Sequence, residues 1–532
     1  QNQAFAYSCL IRNSYQQSPG STKLVVESGT NEAPSSQHPI MLNSVTRIEF
    51  LERGNRLLFL TLAIATFFAF WKLGMTDIED WDEARQIINA VEMEHRGNYV
   101  DYFYADKIDT WNSKPPLLIW GMVGSYRLFG PGIFSSRLPS AIAALAFFFF
   151  AFSFVSLYRS KLFAFGVCLI LMSCRAVFEP HIARTADFDA FLILFLAGFT
   201  YCFALHHDFN RRYAILGAGV FLGLAFFSKG TTSVFLLPGA VLYSLISGKL
   251  LSQFKDRAVW AALAIYVLMA GSWFFISATY GMSFNQTESI YGSSGSLRTM
   301  LINDTWDRFV GQSAFEGERG RKPFYFFVIL DILMNVWNYV FYLGIIIGMY
   351  SLIRSGREWK EKILSKDNRL PALSFCMILT IMLLLEASAT KLVWYYAPMF
   401  MFVAVIVMET IRYITKRNAH FAKLAAVLFI GLLIRHFLFI DSLPQKTTPW
   451  LKANRELIME SDRVFVVGNI RPSIYAQLKL LNYRTHLAAS SADELRSGPS
   501  TAYVYRNTEN SAFISSDCND EFCFGTKAGE GD

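Results

Sequence analysis

The 532-residue chain is poor in charge. Only 17% of its residues are charged, against 53% hydrophobic and 16% aromatic, too few to coat a soluble globule of this size. Its seven cysteines show no zinc-site spacing. Cys168, Cys174, Cys202 and Cys376 fall inside apolar runs, where Cys behaves as a small hydrophobe; Cys518 and Cys523 can pair in an oxidising compartment. A polybasic tract with interleaved aromatics is missing, and basic loops facing anionic lipid account for much of the net charge of +7 without a nucleic-acid partner. Also missing are a signal-peptide pattern, an internal repeat and a dinucleotide fingerprint, since no further glycines follow the turn Val467-Gly468-Asn469 at the required spacing. Segment 1–46, rich in Ser, Gln and Asn, reads as disordered or non-native. It opens on Gln1, as a fragment or processed form would, with Met41 an alternative start.

What the chain has is long apolar runs. Stretches able to cross roughly 30 Å of hydrocarbon run from Leu57 to Phe70, Phe134 to Leu157, Leu162 to Phe178, Phe188 to Leu205, Tyr213 to Phe227, Thr232 to Ile246, Ala258 to Ala278, Phe324 to Ile353, Ala372 to Leu385, Val393 to Ile411 and Phe421 to Ile440. The fold class is therefore an all-α polytopic membrane protein of about eleven spans. Basic clusters fall before the first span or after an even number of spans: Arg47 to Arg56, Arg159 and Lys161, Arg211 and Arg212, Lys249 to Arg257, Arg354 to Arg369, and Arg412 to Lys423. Cytoplasmic loops carry the Lys and Arg excess. The N-terminus is thus expected inside, and Gly74 to Ile133, Pro180 to Asp187, Thr279 to Lys322, Glu386 to Leu392 and everything after Ile440 outside.

The first outward segment is longer than a connector requires. Ala84, Ile87, Ile88 and Val91 recur at helical spacing, which predicts an amphipathic helix on the membrane surface, with Asp82, Arg85 and Gln86 on another face. A solvated acidic helix start explains Asp82 and Glu83 equally simply, because carboxylates favour the N-terminal dipole. Pro115 and Pro116 open a second amphipathic helix, preceded by Lys114; that lysine either snorkels to lipid phosphate or holds a phosphate ligand at the helix start. Arg184, Asp187, Asp189, Lys229, Arg308, Glu316, Arg319, Arg321, Lys322, Glu386 and Lys391 complete the charges expected on that side. Together they suggest an outward polar cavity, against the plainer alternative of salt bridges between helix ends. Arg435 and His436 lie alone within the last span.

These residues resemble a known family. Asp82-Glu83-Ala84-Arg85, Ser113-Lys114-Pro115-Pro116, Leu128-Phe129-Gly130 with Ser136-Arg137-Leu138-Pro139, Arg184-Thr185-Ala186-Asp187-Phe188-Asp189, Phe227-Ser228-Lys229-Gly230, Arg308-Phe309, Thr390-Lys391-Leu392 and Tyr396-Ala397-Pro398 follow, in order, the pattern of the GT-C membrane glycosyltransferases. The similarity is to the bacterial branch that includes the lipid A aminoarabinose transferase and protein O-mannosyltransferase relatives, and it runs from about Leu57 to Phe439. The resemblance implies inverting transfer of a sugar from a polyprenyl-phosphate donor to a glycolipid, polysaccharide or protein acceptor outside a bacterial inner membrane. It implies Asp82 as the base, Asp187 or Asp189 placing acceptor or metal, and Lys114, Arg308 and Lys391 neutralising the leaving phosphate. Glu83, Arg85, Lys229 and Tyr396 join the substrate-binding set. The lipid A enzyme has a metal-site Glu directly before Lys-Pro-Pro, whereas this chain has Ser113 there, which weighs against a divalent metal.

Beyond a transmembrane domain at 47–440, the tail at 441–532 reads as a small outward α/β accessory domain, with strand Val464 to Val467, helix Pro472 to Leu481 and strand Ala502 to Tyr505. A transporter or flippase is the chief rival, although such proteins commonly carry repeats and midplane charges. An inactive binding protein of the same fold is the third reading.

Overall fold

The computed structural model describes residues 55–109, 111–178, 181–282, 299–311, 324–418, 420–443, 449–467, 470–487, 501–506, 513–518 and 522–527. Segment 1–46, Glu316, Arg319, Arg321, Lys322 and the Gly468-Asn469 turn lie outside them. The described residues all belong to one compact unit.

Lipid leaves backbone polar groups without water, so spanning segments close their hydrogen bonds within helices. The apolar runs become α1 (Arg56–Phe70), α4 (Ile133–Ser156), α5 (Lys161–Met172), α6 (Asp189–His207), α7 (Ala214–Lys229), α8 (Leu237–Ile246) and α9 (Arg257–Tyr280). They continue as α10 (Tyr325–Met334), α11 (Trp337–Ser355), α12 (Arg369–Ala387), α13 (Phe400–Thr415) and α14 (His420–Asp441). Among the described residues, eight helices are long and apolar enough to cross a membrane, and five shorter apolar helices accompany them. The chain is a multi-pass membrane protein. The stretch from Phe324 to Ile353, expected as one span, is instead two helices, because Asn335 turns the backbone to φ 53° between α10 and α11. Burial separates the bundle centre from its rim: α6 is 78% buried in its apolar window and α9 only 17%. Next to α6, α7 meets α9 so closely that a Cβ on Gly219 would lie 2.3 Å from the Ala262 carbonyl oxygen, the close approach that small residues permit.

Between α1 and α4 lie α2 (Asp82–Arg96) and α3 (Leu117–Phe129), with a two-strand ribbon of β1 (Phe103–Tyr104) and β2 (Lys107–Ile108). Helix α2 ends at Gly97, whose left-handed φ of 65° lets its N–H reach Met93 O. The apolar stripe of α2 does not rest on lipid. Ala84, Ile87, Ile88 and Val91 are buried against α3 and the tail in a second core distinct from that of the bundle. Helical periodicity marks a covered face without saying what covers it.

In the tail, β3 (Arg463–Val467), α15 (Pro472–Leu481), β4 (Thr485–Leu487), β5 (Thr501–Arg506), β6 (Phe513–Cys518) and β7 (Phe522–Lys527) form a five-stranded sheet of order β4-β3-β5-β7-β6. β3 runs parallel to β4 and β5, as the alternating pattern predicts, and β6 and β7 close it antiparallel. Cys518 and Cys523 are disulfide-bonded.

Candidate functional site

Antiparallel neighbours α6 and α7 bring the first residue of one beside the last residue of the other. Asp189 and Lys229 therefore meet, and the Lys229 ammonium contacts the Asp189 carboxylate directly. Two anchors position the loops around them. Arg137, buried on α4, donates to both oxygens of Glu83 (2.6 and 2.7 Å) and to the carbonyls of Leu73, Thr76 and Asp77, which pins the α1–α2 loop. Arg184 donates to the carbonyls of Phe68, Ala69 and Trp71, the unsatisfied acceptors at the end of α1. Glu83 also accepts from the amides of Glu79 and Ala186, at 2.9 Å each, tying the α2 entry to the 181–189 loop.

Between those loops sits His181. Its Nδ1 lies 2.6 Å from Asp187 Oδ2 and 3.5 Å from Asp82 Oδ2, and its Nε2 is 4.0 Å from Glu79. Its ring stacks on Trp394 at 3.7 Å. Burial opposes its charged form, but the hydrogen bond and charge of Asp187, with Asp82 and Glu79, lift its pKa to about 9. Burial and the neighbouring Glu83 carboxylate push Glu79 up to about 7. Burial also pushes Asp187 upward, yet the His181 hydrogen bond and charge hold it below the ordinary carboxylate range. Among these acids Asp82 is the most open: its side chain is 49% exposed, against 34% for Glu79, 7% for Asp187 and 1% for Asp189.

Cations lie on the far side of the turn at 393–399. Lys229 sits 5.5 Å from the Tyr395 ring, and the Tyr395 hydroxyl accepts from Arg308 at 2.8 Å. Arg308 pairs with Asp304 at 3.0 Å, and Asp304 accepts from Ser113 at 2.7 Å. Burial disfavours the charged form of Arg308, but Tyr395 and Asp304, with Asp82 contributing, raise its pKa above the ordinary value. Lys114 lies 5.4 Å from the Phe188 ring and meets no carboxylate among the described residues. Lys391 pairs with Glu386 at 2.8 Å, and Tyr396 is 3.5 Å from the same carboxylate. Backbone bonds from Ala389 and Thr390 to the carbonyls of Phe309 and Arg308 tie that corner to Arg308.

The structure thus gathers Asp82, Asp187, Asp189, Lys229 and Arg308 at one end of the bundle. Lys114 borders them, and Lys391 and Tyr396 form a corner linked through Glu386. Two sequence expectations are corrected. Glu83 is committed to Arg137 and backbone amides rather than presented to a substrate. Arg85, expected in the substrate-binding set, instead makes a buried two-point bond to Asp109 at 2.7 and 2.9 Å, because the β1–β2 ribbon brings Asp109 against that face of α2. His181 was missed, and the signal for it was slight: one histidine in the short outward segment that ends at Asp187.

Ligand atoms of Asp82, His181 and Asp187 all lie within 4.8 Å of one another. Two carboxylates and an imidazole suit a borderline divalent ion such as zinc or manganese. Beside them Asp189 Oδ1 is buried with no hydrogen-bond partner among the described residues. The donor set therefore fits a divalent ion, and none of its members is at position 113.

The family model described as dolichyl-phosphate-mannose-protein mannosyltransferase matches residues 113–275. ArnT from Cupriavidus metallidurans bound to undecaprenyl phosphate superposes with a TM-score of 0.65 at 14% identity, over 90% of this chain and 99% of that one. The chain has the GT-C glycosyltransferase fold. Apo ArnT from the same organism gives 0.62 at 15% identity over 88% and 97% of the two chains. The Archaeoglobus fulgidus oligosaccharyltransferase gives 0.50 at 11% identity over 82% and 64%. No curated protein matches the sequence. In this chain the acidic cluster and the cations share one end of the bundle, the end at which α6 begins and α7 finishes.

Proposed function

We propose that the chain transfers a glycosyl group from a polyprenyl-phosphate donor to an acceptor nucleophile on the extracytoplasmic side of a bacterial inner membrane, with inversion at the anomeric carbon. One observation carries this reading: a half-exposed carboxylate, Asp82, stands at the same bundle end as the cations Lys114, Arg308 and Lys229. Undecaprenyl phosphate bound to ArnT, the family match at 113–275 and the shared fold support it.

In the step, the acceptor oxygen forms a bond to the anomeric carbon as the bond from that carbon to the phosphate oxygen breaks. The acceptor proton passes to Asp82. The electron pair leaves on the lipid phosphate, where Arg308, with its planar fork, and Lys114, as a point charge, stabilise it in a water-poor setting. Asp187 holds His181, and His181 stacks on Trp394, so both face Asp82 from fixed positions. Asp82, His181 and Asp187 would hold a divalent ion, whose chemistry when bound is to neutralise charge developing on oxygen.

Membranes containing the chain, supplied with a labelled polyprenyl-phosphate sugar and with lipid A, glycan or protein acceptors, test the reading. Labelled acceptor is expected with the native chain and not with Asp82→Asn. Movement of intact labelled donor across the bilayer, without cleavage, would favour the flippase reading instead.

A further inference from the structure

The tail reaches back to the residue two before Asp82. Helix α15 opens at Pro472, and its own N-cap residue, Arg471, makes no side-chain bond to the first-turn amides. Such amides need an acceptor from elsewhere. Asp80 supplies it: its Oδ1 accepts from the Ser473 amide at 3.0 Å, across 393 positions of sequence. At the other end of α2, Lys479 contacts Glu92 in a buried ion pair, His95 lies against Tyr483 with ring centres 3.8 Å apart, and His486 bonds Asp106 at 2.7 Å. Ile474, Tyr475 and Leu478 of α15 share one apolar core with Ala84, Ile87 and Ile88, and with Ala186 and Phe188 of the loop that carries Asp187.

Trp81 stands between the Asp80 anchor and Asp82 at φ 69°, ψ −89°, a conformation that L side chains rarely adopt and that persists only where its surroundings over-determine it. Its own side chain is exposed and does little to hold it. The restraints lie on either side: before it, Arg137 on the Thr76 and Asp77 carbonyls, the Glu79 amide on Glu83, and Asp80 on the tail; after it, the first turn of α2, where Arg85 N bonds Trp81 O at 2.9 Å.

We propose that the tail module is a positioning device for Asp82, with Asp80 as the residue that transmits its hold through the Trp81 turn. This rests on the transfer reading above, in which Asp82 takes the acceptor proton. Released from Ser473, the turn relaxes, and the Asp82 carboxylate loses its fixed direction relative to His181 and the acceptor.

The test separates this hold from simple stability. Asp80→Ala removes the acceptor; Asp80→Asn keeps a carbonyl oxygen for the Ser473 amide. Asp80→Ala with Arg471→Asp gives α15 an N-cap of its own, at a residue already in the extended conformation that caps adopt (φ −64°, ψ 137°), and so restores the module without restoring the tether. Each full-length chain is assayed in membranes for kcat, donor KM and thermal midpoint, and for amide exchange of peptide 79–85. Asp80→Ala is expected to lower kcat about tenfold to a hundredfold with donor KM unchanged and exchange of that peptide faster. Asp80→Asn should retain most of kcat. The double variant should regain the native midpoint while keeping the low kcat and the fast exchange. Recovery of kcat together with the midpoint overturns the proposal, as does an unchanged kcat in Asp80→Ala. If the native chain transfers no sugar from any donor supplied, the transfer reading fails, and exchange in the double variant still decides the tether: faster exchange upholds it and unchanged exchange refutes it.

Discussion

The two ends of α6 lie about 28 Å apart along one helix and treat their charges differently. At the far end Asp208 accepts from Tyr158 at 2.6 Å, Tyr243 at 3.0 Å and His207 at 2.8 Å, with Lys249 at 3.8 Å. Burial pushes its carboxyl up, but the hydrogen bonds of His207 and Tyr158 outweigh it and hold the pKa below the ordinary range. Nearby, Glu409 receives both Arg159 and Arg412 at 2.6 Å. Both acids are met by donors. At the Asp189 end, Glu79, Asp82 and Asp187 crowd one histidine, Asp189 keeps a buried oxygen unpartnered among the described residues, and Trp81 and His181 sit at positive φ. Strained backbone of that kind costs on the order of 1–3 kcal/mol per residue and gathers at functional sites. One end is arranged for stability, the other for a substrate that would complete its pairings.

The contrast breaks most sharply at Asp82. Asp82→Asn keeps size and removes the basic oxygen, so transfer should fall by about 10²–10⁴-fold while the thermal midpoint stays close to native, since the side chain is half exposed and its near neighbour His181, at 3.5 Å, keeps the closer Asp187 at 2.6 Å. A fully active Asp82→Asn chain would move the base to Asp187 or Asp189. One position on, Glu83→Gln should do the reverse. It strips the buried Arg137 of its counter-charge, and breaking such a pair costs roughly 3–5 kcal/mol of stability; folded protein recovered after extraction is the measurement, and a native yield with native midpoint would show the pair to be dispensable. Adjacent residues on one helix would then serve opposite ends of the comparison.

A smaller effect is expected from the cations. Arg308→Ala and Lys114→Ala each remove a charged donor from the phosphate, worth roughly 1.5–3 kcal/mol, and should appear as weaker donor use in initial-rate kinetics. If both retain normal donor KM and kcat, the phosphate is held elsewhere and Lys114 only snorkels to lipid. Truncating Arg308 also frees Tyr395 and Asp304, so Arg308→Lys, which keeps charge without the planar fork, should recover part of the loss.

Much of the fold was legible because lipid imposes a simple rule: apolar stretches must close their own hydrogen bonds, and hydropathy finds them. The β3-α15-β5 unit was legible from the alternation of strand, helix and strand along the tail. The bundle-end position of Asp187, Asp189 and Lys229 also followed from span counting alone. What hydropathy could not supply was the angle between loops. Asp82 and His181 are 99 positions apart, and their approach depends on Arg137 pinning the α1–α2 loop to α4 and Arg184 pinning the 181–189 loop to the end of α1. Arg85, on a face that sequence alone leaves open to Asp82, turns to Asp109 because a two-residue ribbon places that acid there. The cover over α2 was likewise unreadable, since an apolar stripe fits lipid and protein equally well.

The smallest effect on transfer is expected at the far end, where it sharpens the comparison most. Asp208→Asn keeps the shape of the side chain and one acceptor oxygen but removes the charge that Tyr158, Tyr243 and His207 share. Those donors are buried or half-buried, so the loss falls on folding, roughly 1–3 kcal/mol for donors left poorly paired, and the thermal midpoint should drop. Transfer per folded molecule should not change, because α6 is a rigid, mostly buried rod about 28 Å long, and the groups at its other end are held by Arg137, Arg184 and the tail rather than by Asp208. Activity normalised to folded protein, measured beside the midpoint, decides the matter. A reduced kcat with a native midpoint would mean that the far-end network is coupled to the site, and the division of labour between the two ends would have to be abandoned.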